Sequence, residues 1–546
     1  MPRRHISRLL AVTLALLGCE ASVESPVVPD GVAPAPAPAV PLPPAAEGKP
    51  LEIAWASCTI PSGQLEYEAD CATVELPARR GMADLGTVPV AVYRLKARKQ
   101  PATAQMWFLN GGPGGSGFSL VRYADRVASS FAQGVDTYLI DHRGTGESTF
   151  LECPKATRAS KDLDAFAVEC SQEIRELSGD KLDGFGTTES AHDVRELIDA
   201  TAEPDKKVVV YGGSYGSYWA HRLLQLPNVH VDAVITDGNC LSSTCTFDTP
   251  QSFGMDEVVK NIAEVCKEQE ACRARFGPDP WGKIRDIVRK LNEGHCAEAA
   301  LAQMAPADLI LNLGPMWAAG ILPLLYRLDR CSAGDLAALG ALAGVFTRID
   351  QGSRANATVD VVPSDQFLRR IPRLGETPAP TSRTSFSTAL QTHVVASELV
   401  SLPVPSKESL AARAESLTFQ PDPSAFDLGY LAKWQGYPKD AAVGGWMNRD
   451  VPWLMLQGTF DFQTVYSMSQ AALPKITDPS LQFVRIDGGN HGVAFDSDCT
   501  LKMVERFVAA PTAKVKAACV SEVKAESVTP DPGYADYFFG TRDPWD

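Results

Sequence analysis

The chain has 546 residues, 45% of them hydrophobic and 21% charged, and a formal net charge of −15. That length can bury a large core, as one big domain with an insertion or as several domains, and the composition is that of a soluble globular protein. No basic block offsets the acidic balance, which excludes the electrostatic footprint of a nucleic-acid partner.

At the amino end, Arg3, Arg4 and Arg8 precede an apolar run from Leu9 to Leu17. The run is too short for a membrane span and fits the h-region of a signal peptide. It ends in Leu16-Leu17-Gly18-Cys19, which resembles the bacterial lipoprotein box. That resemblance implies cleavage before Cys19, acylation of its thiol and new amino terminus, and a lipid-anchored place in the bacterial cell envelope, facing the periplasm or the exterior. Residues 1–19 are then the signal segment. Residues 20–50, which include APAPAPAVPLPP, cannot pack and form a Pro/Ala-rich tether.

Strands are predicted at Val88–Leu95, Gln105–Asn110 and Thr137–Asp141, the second apolar enough to be central. A helix capped by Thr187 or Thr188 turns Ala191, Val194, Leu197 and Ile198 inward. The stretch VVVYGGSYGSYWAHRLL, Val208 to Leu224, then reads as a strand running through a tight turn into a helix, and Val231–Asp237 is another strand. Strands alternating with helices predict a mostly parallel, doubly wound α/β sheet. From about Thr246 to Gly445 strands vanish. Val258–Arg275, Trp281–Gln303, Pro315–Arg330 and Leu336–Ile349 look helical, with proline-rich breaks at Pro372–Pro380 and Pro403–Pro405. Strands return at Trp453–Gln457 and Leu481–Ile486, before a helix near Leu501–Val508. The expected organisation is a core over 51–245, a helical lid over 246–445 inserted between sheet strands, and a second part of the core over 446–546.

Thirteen cysteines less Cys19 leave twelve, an even number in an exported chain, so disulfides are expected. Short loops suggest Cys58–Cys71, Cys153–Cys170, Cys240–Cys245, Cys266–Cys272, Cys296–Cys331 and Cys499–Cys519. The Cys266–Cys272 pair requires its helix to bend or break. No C-x-x-C pair points to zinc, and neither a metal nor a cofactor is expected.

Gly212-Gly213-Ser214-Tyr215-Gly216 fits G-x-S-x-G, a turn too sharp for large flanking side chains that lifts a serine hydroxyl above a helix N-terminus. A serine nucleophile needs a base, a carboxylate to orient that base, and donors for an oxyanion. In this architecture the chain order is serine, acid, histidine. Of eight histidines, His491 alone follows a late strand in a glycine turn, Gly488-Gly489-Asn490-His491-Gly492. Asp461 follows the preceding strand and is the expected acid. Asp487 and Asp496 are its rivals, one too close to the strand end before His491 and one beyond the histidine. The Tyr215 N–H is one expected oxyanion donor. The other is the Gly112 N–H, from the glycine loop Asn110-Gly111-Gly112-Pro113-Gly114-Gly115-Ser116-Gly117, which has no Gly-Lys-Ser/Thr end for phosphate.

Taken together, NGGPGGSG, DHRGTGES, GGSYGSYWA, the strand ending Asp237-Gly238, GTFDF and GGNHG resemble the α/β-hydrolase peptidases of the proline iminopeptidase and tripeptidyl aminopeptidase family. The resemblance runs from about Trp55 to Val520, and Cys499 with Cys519 looks like the carboxyl-terminal segment of the tripeptidyl branch. Two departures stand out: Asn110 where the family often has His, and Phe462-Gln463-Thr464-Val465 where it tends to a Thr-Pro turn. The resemblance implies a serine exopeptidase, tripeptidyl or prolyl, acting on peptides with a free amino terminus. It also implies an acidic lid group for that terminus, with Glu398 in HVVASELVS the candidate and a solvated helix face the plainer account of it. A carboxylesterase or lipase could use the same Ser-Asp-His machinery, and a non-enzymatic lipoprotein could keep the fold as a binding module.

Overall fold

The computed structural model describes residues 51–62, 65–155, 162–249, 251–302, 304–355, 386–447 and 449–546. Cys19, the 20–50 tether and the Pro372–Pro380 break lie outside the described residues.

Among the described residues, nine strands form one sheet in the order β1-β2-β3-β5-β4-β6-β7-β8-β9. They are β1 (Ala56–Ser62), β2 (Leu65–Pro77), β3 (Thr87–Leu95), β4 (Ala104–Leu109), β5 (Val135–Ile140), β6 (Lys207–Gly213), β7 (Ala233–Asp237), β8 (Trp453–Gly458) and β9 (Leu481–Ile486). The first three strands join β5 by antiparallel pairing, and every pair from β5 through β4 to β9 is parallel. The interior strands β4, β5, β7 and β8 are buried along their whole length, as parallel strands covered on both faces must be. Their side chains divide by the two-residue period of a strand. Met106, Phe108, Leu454 and Leu456 face one core layer, while Trp107, Leu109, Trp453 and Met455 face the other.

Helix α1 (Val121–Ser130) and the Asp498–Ala509 helix cover the first face. The second is covered by α2 (Leu163–Ser178), α3 (Thr187–Thr201) and α4 (Tyr215–Gln225). The β1–β2 hairpin is absent from the sequence reading for a physical reason. β1 lies at the sheet edge, is mostly exposed or half-buried and carries Pro61, while β2 buries only the alternating Ala72, Val74 and Leu76, so no continuous apolar run marks either strand.

Between β7 and β8 the chain leaves the sheet and builds a mostly helical lid with its own core. The stretch predicted as one helix, Val258–Arg275, is two, Met255–Glu268 and Glu270–Phe276, parted at Gln269. The break is what lets Cys266 reach Cys272, with Cα atoms 5.4 Å apart. The other five cysteine pairs also meet as the loop lengths suggest. The segment Pro306–Arg330 is apolar and long enough to cross a membrane, yet it lies mostly buried among the lid helices.

Packing does not follow the sequence boundary near residue 446. Val528, Tyr534, Phe538, Phe539 and Trp545 belong to the core of the lid, whereas Leu390, Val394, Leu399 and Trp434 pack on the sheet layer. Arg327 and Arg330 fasten the chain end by donating to the backbone of Asp543, Pro544, Trp545 and Asp546.

Candidate active site

Strand order reverses at β4, whose neighbours β5 and β6 lead away in opposite directions, and in open α/β sheets such a switch point, at the carboxyl ends of the strands, is where ligands bind. Two loops leave the sheet at this point: the glycine loop after β4 and the serine turn after β6. In the turn Ser214 holds φ 56° and ψ −129°, a sparsely populated conformation for a residue with a side chain. The close approach of its flanks explains the glycines. A Cβ on Gly212 would stand 2.2 Å from the Gly216 carbonyl oxygen, and one on Gly216 would stand 2.0 Å from the Leu109 oxygen. Ser214 therefore sits at the start of α4, where the first amides, Tyr215 N–H among them, have no intrahelical acceptor.

The glycine loop lies against the serine. A Cβ on Gly111 would come within 2.7 Å of Ser214 Cβ and 3.2 Å of its Oγ. Asn110 braces the loop from below. Its Oδ1 accepts the Gly111 N–H at 2.7 Å, and its Nδ2 donates to the Ser116 carbonyl at 2.6 Å and Ser119 Oγ at 2.8 Å. With the Gly111 amide so occupied, Gly112 at φ +120° remains the loop's candidate donor. On the outer side, Ser387 N–H donates to the Gly114 carbonyl at 2.9 Å and Phe386 packs over Gly112 and Gly114.

The structure brings His491 and Asp461 together from the loops after β9 and β8. His491 Nδ1 is 2.9 Å from each Asp461 carboxylate oxygen. Asp461 is wholly buried and also accepts from Gln463 N–H at 2.8 Å, Thr464 N–H at 2.7 Å, Thr464 Oγ1 at 2.8 Å and Gln457 Nε2 at 3.1 Å. Burial pushes the Asp461 carboxyl up. The His491 charge and hydrogen bond, with the Thr464 and Gln463 amides, more than offset this and hold it below its ordinary value. Burial likewise pulls His491 down, and the carboxylates of Asp461, Asp237 and Asp496 more than restore it, leaving it raised. An imidazole so placed keeps its proton to higher pH than a free one.

The rival carboxylates do other things. Asp487 pairs with its neighbour Arg485 at 2.6 Å, while Asp496 acts on His491 through its charge. Gln457, Thr464 and Asp237 appear in the sequence reading only as parts of strands and motifs, and none is given a role at the site. A threonine three residues after an aspartate in a turn is the one signal that could have exposed Thr464.

Glu398 corrects both expectations attached to it. It lies on the π-helical turn Val395–Leu399 and is buried, so it is not on a solvated face. Nor is it open to a substrate ammonium. One oxygen accepts Thr187 N–H at 3.0 Å and the Tyr437 hydroxyl; the other accepts the Tyr218 hydroxyl at 2.9 Å and Arg222 Nη2 at 3.0 Å. Burial raises this carboxyl, but the Arg222 charge and the Tyr437, Thr187 and Tyr218 hydrogen bonds bring it below its ordinary value. The network ties the lid to α3 and to α4 behind Ser214, where the Tyr215 hydroxyl meets Thr187 Oγ1 at 2.8 Å and His142 Nε2 at 3.3 Å.

A family model described as the alpha/beta hydrolase fold matches residues 106–274. The chain has the α/β-hydrolase fold. No curated protein matches it. Among solved structures, it is similar to a laboratory-evolved variant of potato epoxide hydrolase at 15% identity and a TM-score of 0.31, covering 77% of this chain and 94% of that one. It is similar to a lipase in an open form at 14% identity and 0.33, covering 81% and 100%. A proline iminopeptidase of Mycobacterium smegmatis is similar at 12% identity and 0.32, covering 84% and 99%. At such identities and scores these likenesses do not bear on what this α/β-hydrolase-fold protein acts upon.

Proposed function

We propose that this protein is a serine exopeptidase, a tripeptidyl or prolyl aminopeptidase, that hydrolyses peptides from a free amino terminus through an acyl-enzyme. The observation that carries the hydrolytic part is the His491–Asp461 pair beside Gly238, at the same carboxyl end of the parallel strands as Ser214. Ser214 Oγ attacks the scissile carbonyl as His491 Nε2 takes its proton. Asp461 holds the Nδ1–H and the imidazolium that forms. The Tyr215 and Gly112 N–H groups receive the oxyanion. The amine then leaves with the proton from His491, and a water deprotonated by the same nitrogen releases the acyl group.

The motif set and the helical lid support the peptidase reading. One observation favours a second, a carboxylesterase or lipase with the same machinery: the saturated Glu398 is not available to a substrate amino group. Cleavage of one aminoacyl or tripeptidyl arylamide, free and N-acetylated, beside a simple acyl ester decides between them. An exopeptidase prefers the free amine by about tenfold or more, the worth of a charge-assisted contact. Equal rates on the two amides, or activity confined to the ester, would establish the second reading. Glu398→Gln should leave the preference unchanged and instead lower stability by about 3 kcal/mol in chemical denaturation, because the buried Arg222 loses its nearer carboxylate and keeps only Asp440 at 3.9 Å.

Placement at the membrane is part of the same proposal and rests on Arg3, Arg4, Arg8 and Leu16–Cys19. The exported protein should partition into detergent, and Cys19→Ser should remain unprocessed or be released. Mass spectrometry finding an unmodified amino terminus downstream of Cys19 would refute the anchor.

A further inference from the structure

Asp237 closes β7 with no exposed surface. Its carbonyl oxygen accepts the Ser214 N–H at 2.9 Å. Its carboxylate accepts the Val493 N–H at 3.0 Å and the Ala494 N–H at 2.6 Å. These amides come two and three residues after His491 and open the short turn Val493–Phe495. The next residue, Gly238, takes φ +56°, and a Cβ there would stand 2.9 Å from both Cε1 and Nδ1 of the His491 ring. Just beyond, Ser217 Oγ donates to the Ser214 carbonyl at 2.6 Å and accepts the Cys240 N–H at 2.8 Å. The end of β7 therefore touches both the nucleophile's turn and the loop of the base.

A neutral Ser or Asn could cap such a turn without burying a charge. Asp237 has no cationic side chain bonded to it among the described residues, and burial pushes its carboxyl up to about 6 despite the two amides. What the carboxylate adds is negative charge near an imidazole that becomes cationic in each half-reaction. Tyr211 Oη on β6 stands 3.5 Å from it, and His491 and Asp461 are the other titratable groups that act on it. His491 is faced in turn by Asp461, Asp237 and Asp496.

We propose that Asp237 is the positioning residue of the site: its backbone fixes the serine turn, its carboxylate fixes the histidine loop, and its charge favours the imidazolium. The proposal rests on Ser214 and His491 being nucleophile and base. Two variants separate its parts. Asp237→Asn removes the charge and turns an amide NH₂ toward one of the two N–H donors; Asp237→Glu keeps the charge but displaces the oxygens. Both should lower the rate of fluorophosphonate labelling by about 10–100-fold, the scale of a small misplacement of reacting groups. In Asp237→Asn the acid limb of the pH–rate profile should also move to lower pH, because one of the charges that raise His491 is gone. In Asp237→Glu that limb should stay near its wild-type position. A purely structural role would lower the melting temperature and leave the profile of the folded variant in place.

Hydrogen exchange at the Val493 and Ala494 amides reads the anchoring without reference to activity, and protection should fall in both variants. Wild-type protein that does not label removes the catalytic reading, while the exchange result still decides whether Asp237 holds the loop. Wild-type labelling rates, an unmoved profile and unchanged protection in whichever variant folds would overturn the proposal.

Discussion

Ser214→Ala should abolish fluorophosphonate labelling and lower turnover by about 10⁶-fold, the loss found when the nucleophile of a triad is removed. The turn presents one hydroxyl, and Ser214 makes no side-chain cap hydrogen bond to α4 that alanine would forfeit. Its backbone bond to Asp237 and the Ser217 bonds to its carbonyl survive the substitution. Alanine inherits the same strained φ of 56° without a new clash, so the fold and melting temperature should stay close to wild type. Rates are compared on purified protein of matched far-ultraviolet circular dichroism. A variant that still labels, or that turns over substrate at the wild-type rate, would place the nucleophile elsewhere.

Asp461→Asn should cost about 10⁴-fold in turnover, the loss seen when the triad aspartate of a serine protease is replaced and the imidazole takes the wrong tautomer. The surroundings of this carboxylate sharpen the expectation. One oxygen accepts the Gln463 and Thr464 amides, and the other accepts Thr464 Oγ1 and Gln457 Nε2. Whichever position the amide nitrogen of Asn takes, it faces donors, and each buried group left unpaired costs about 1–3 kcal/mol. The variant should therefore lose stability as well as rate. Asp487→Asn serves as the control. Its partner is Arg485, two residues before it, and no hydrogen bond joins it to the imidazole, so turnover should stay within a few-fold of wild type. A large loss there, with Asp461→Asn active, would transfer the role of the acid.

The parts of the site that could be read in advance are those whose chemistry is local. A serine turn that brings Gly212 to Gly216 and Gly216 to Leu109 tolerates nothing larger, so its glycines appear in the sequence as G-x-S-x-G. Strand β8 is an apolar run followed within a few residues by Asp461, and β9 is followed by a glycine turn and His491, so order along the chain singles out the two residues that the structure pairs. Cysteine pairs closed by short loops are legible for the same reason, and the helix break at Gln269 follows from one of them.

What the sequence could not supply depends on groups that approach from distant elements. The partners of Glu398 come from Thr187, Tyr218, Arg222 and Tyr437, as far as 211 residues away, and no pattern around HVVASELVS distinguishes that saturated pair from an open carboxylate. Asp237 reads as the polar end of an apolar strand until Val493 and Ala494 are folded onto it. The β1–β2 hairpin leaves no continuous hydrophobic run, because only alternate residues of β2, Ala72, Val74 and Leu76, are buried and β1 lies at the sheet edge. By itself the sequence determined the sheet's central strands, the helical insertion between β7 and β8 and the places of Ser214, Asp461 and His491 just after strands, since burial and tight turns restrict which residues can stand there. The tertiary structure alone decided which buried charges are spent on one another, because hydrogen-bond and ion-pair partners are set by proximity in space and leave no periodicity along the chain.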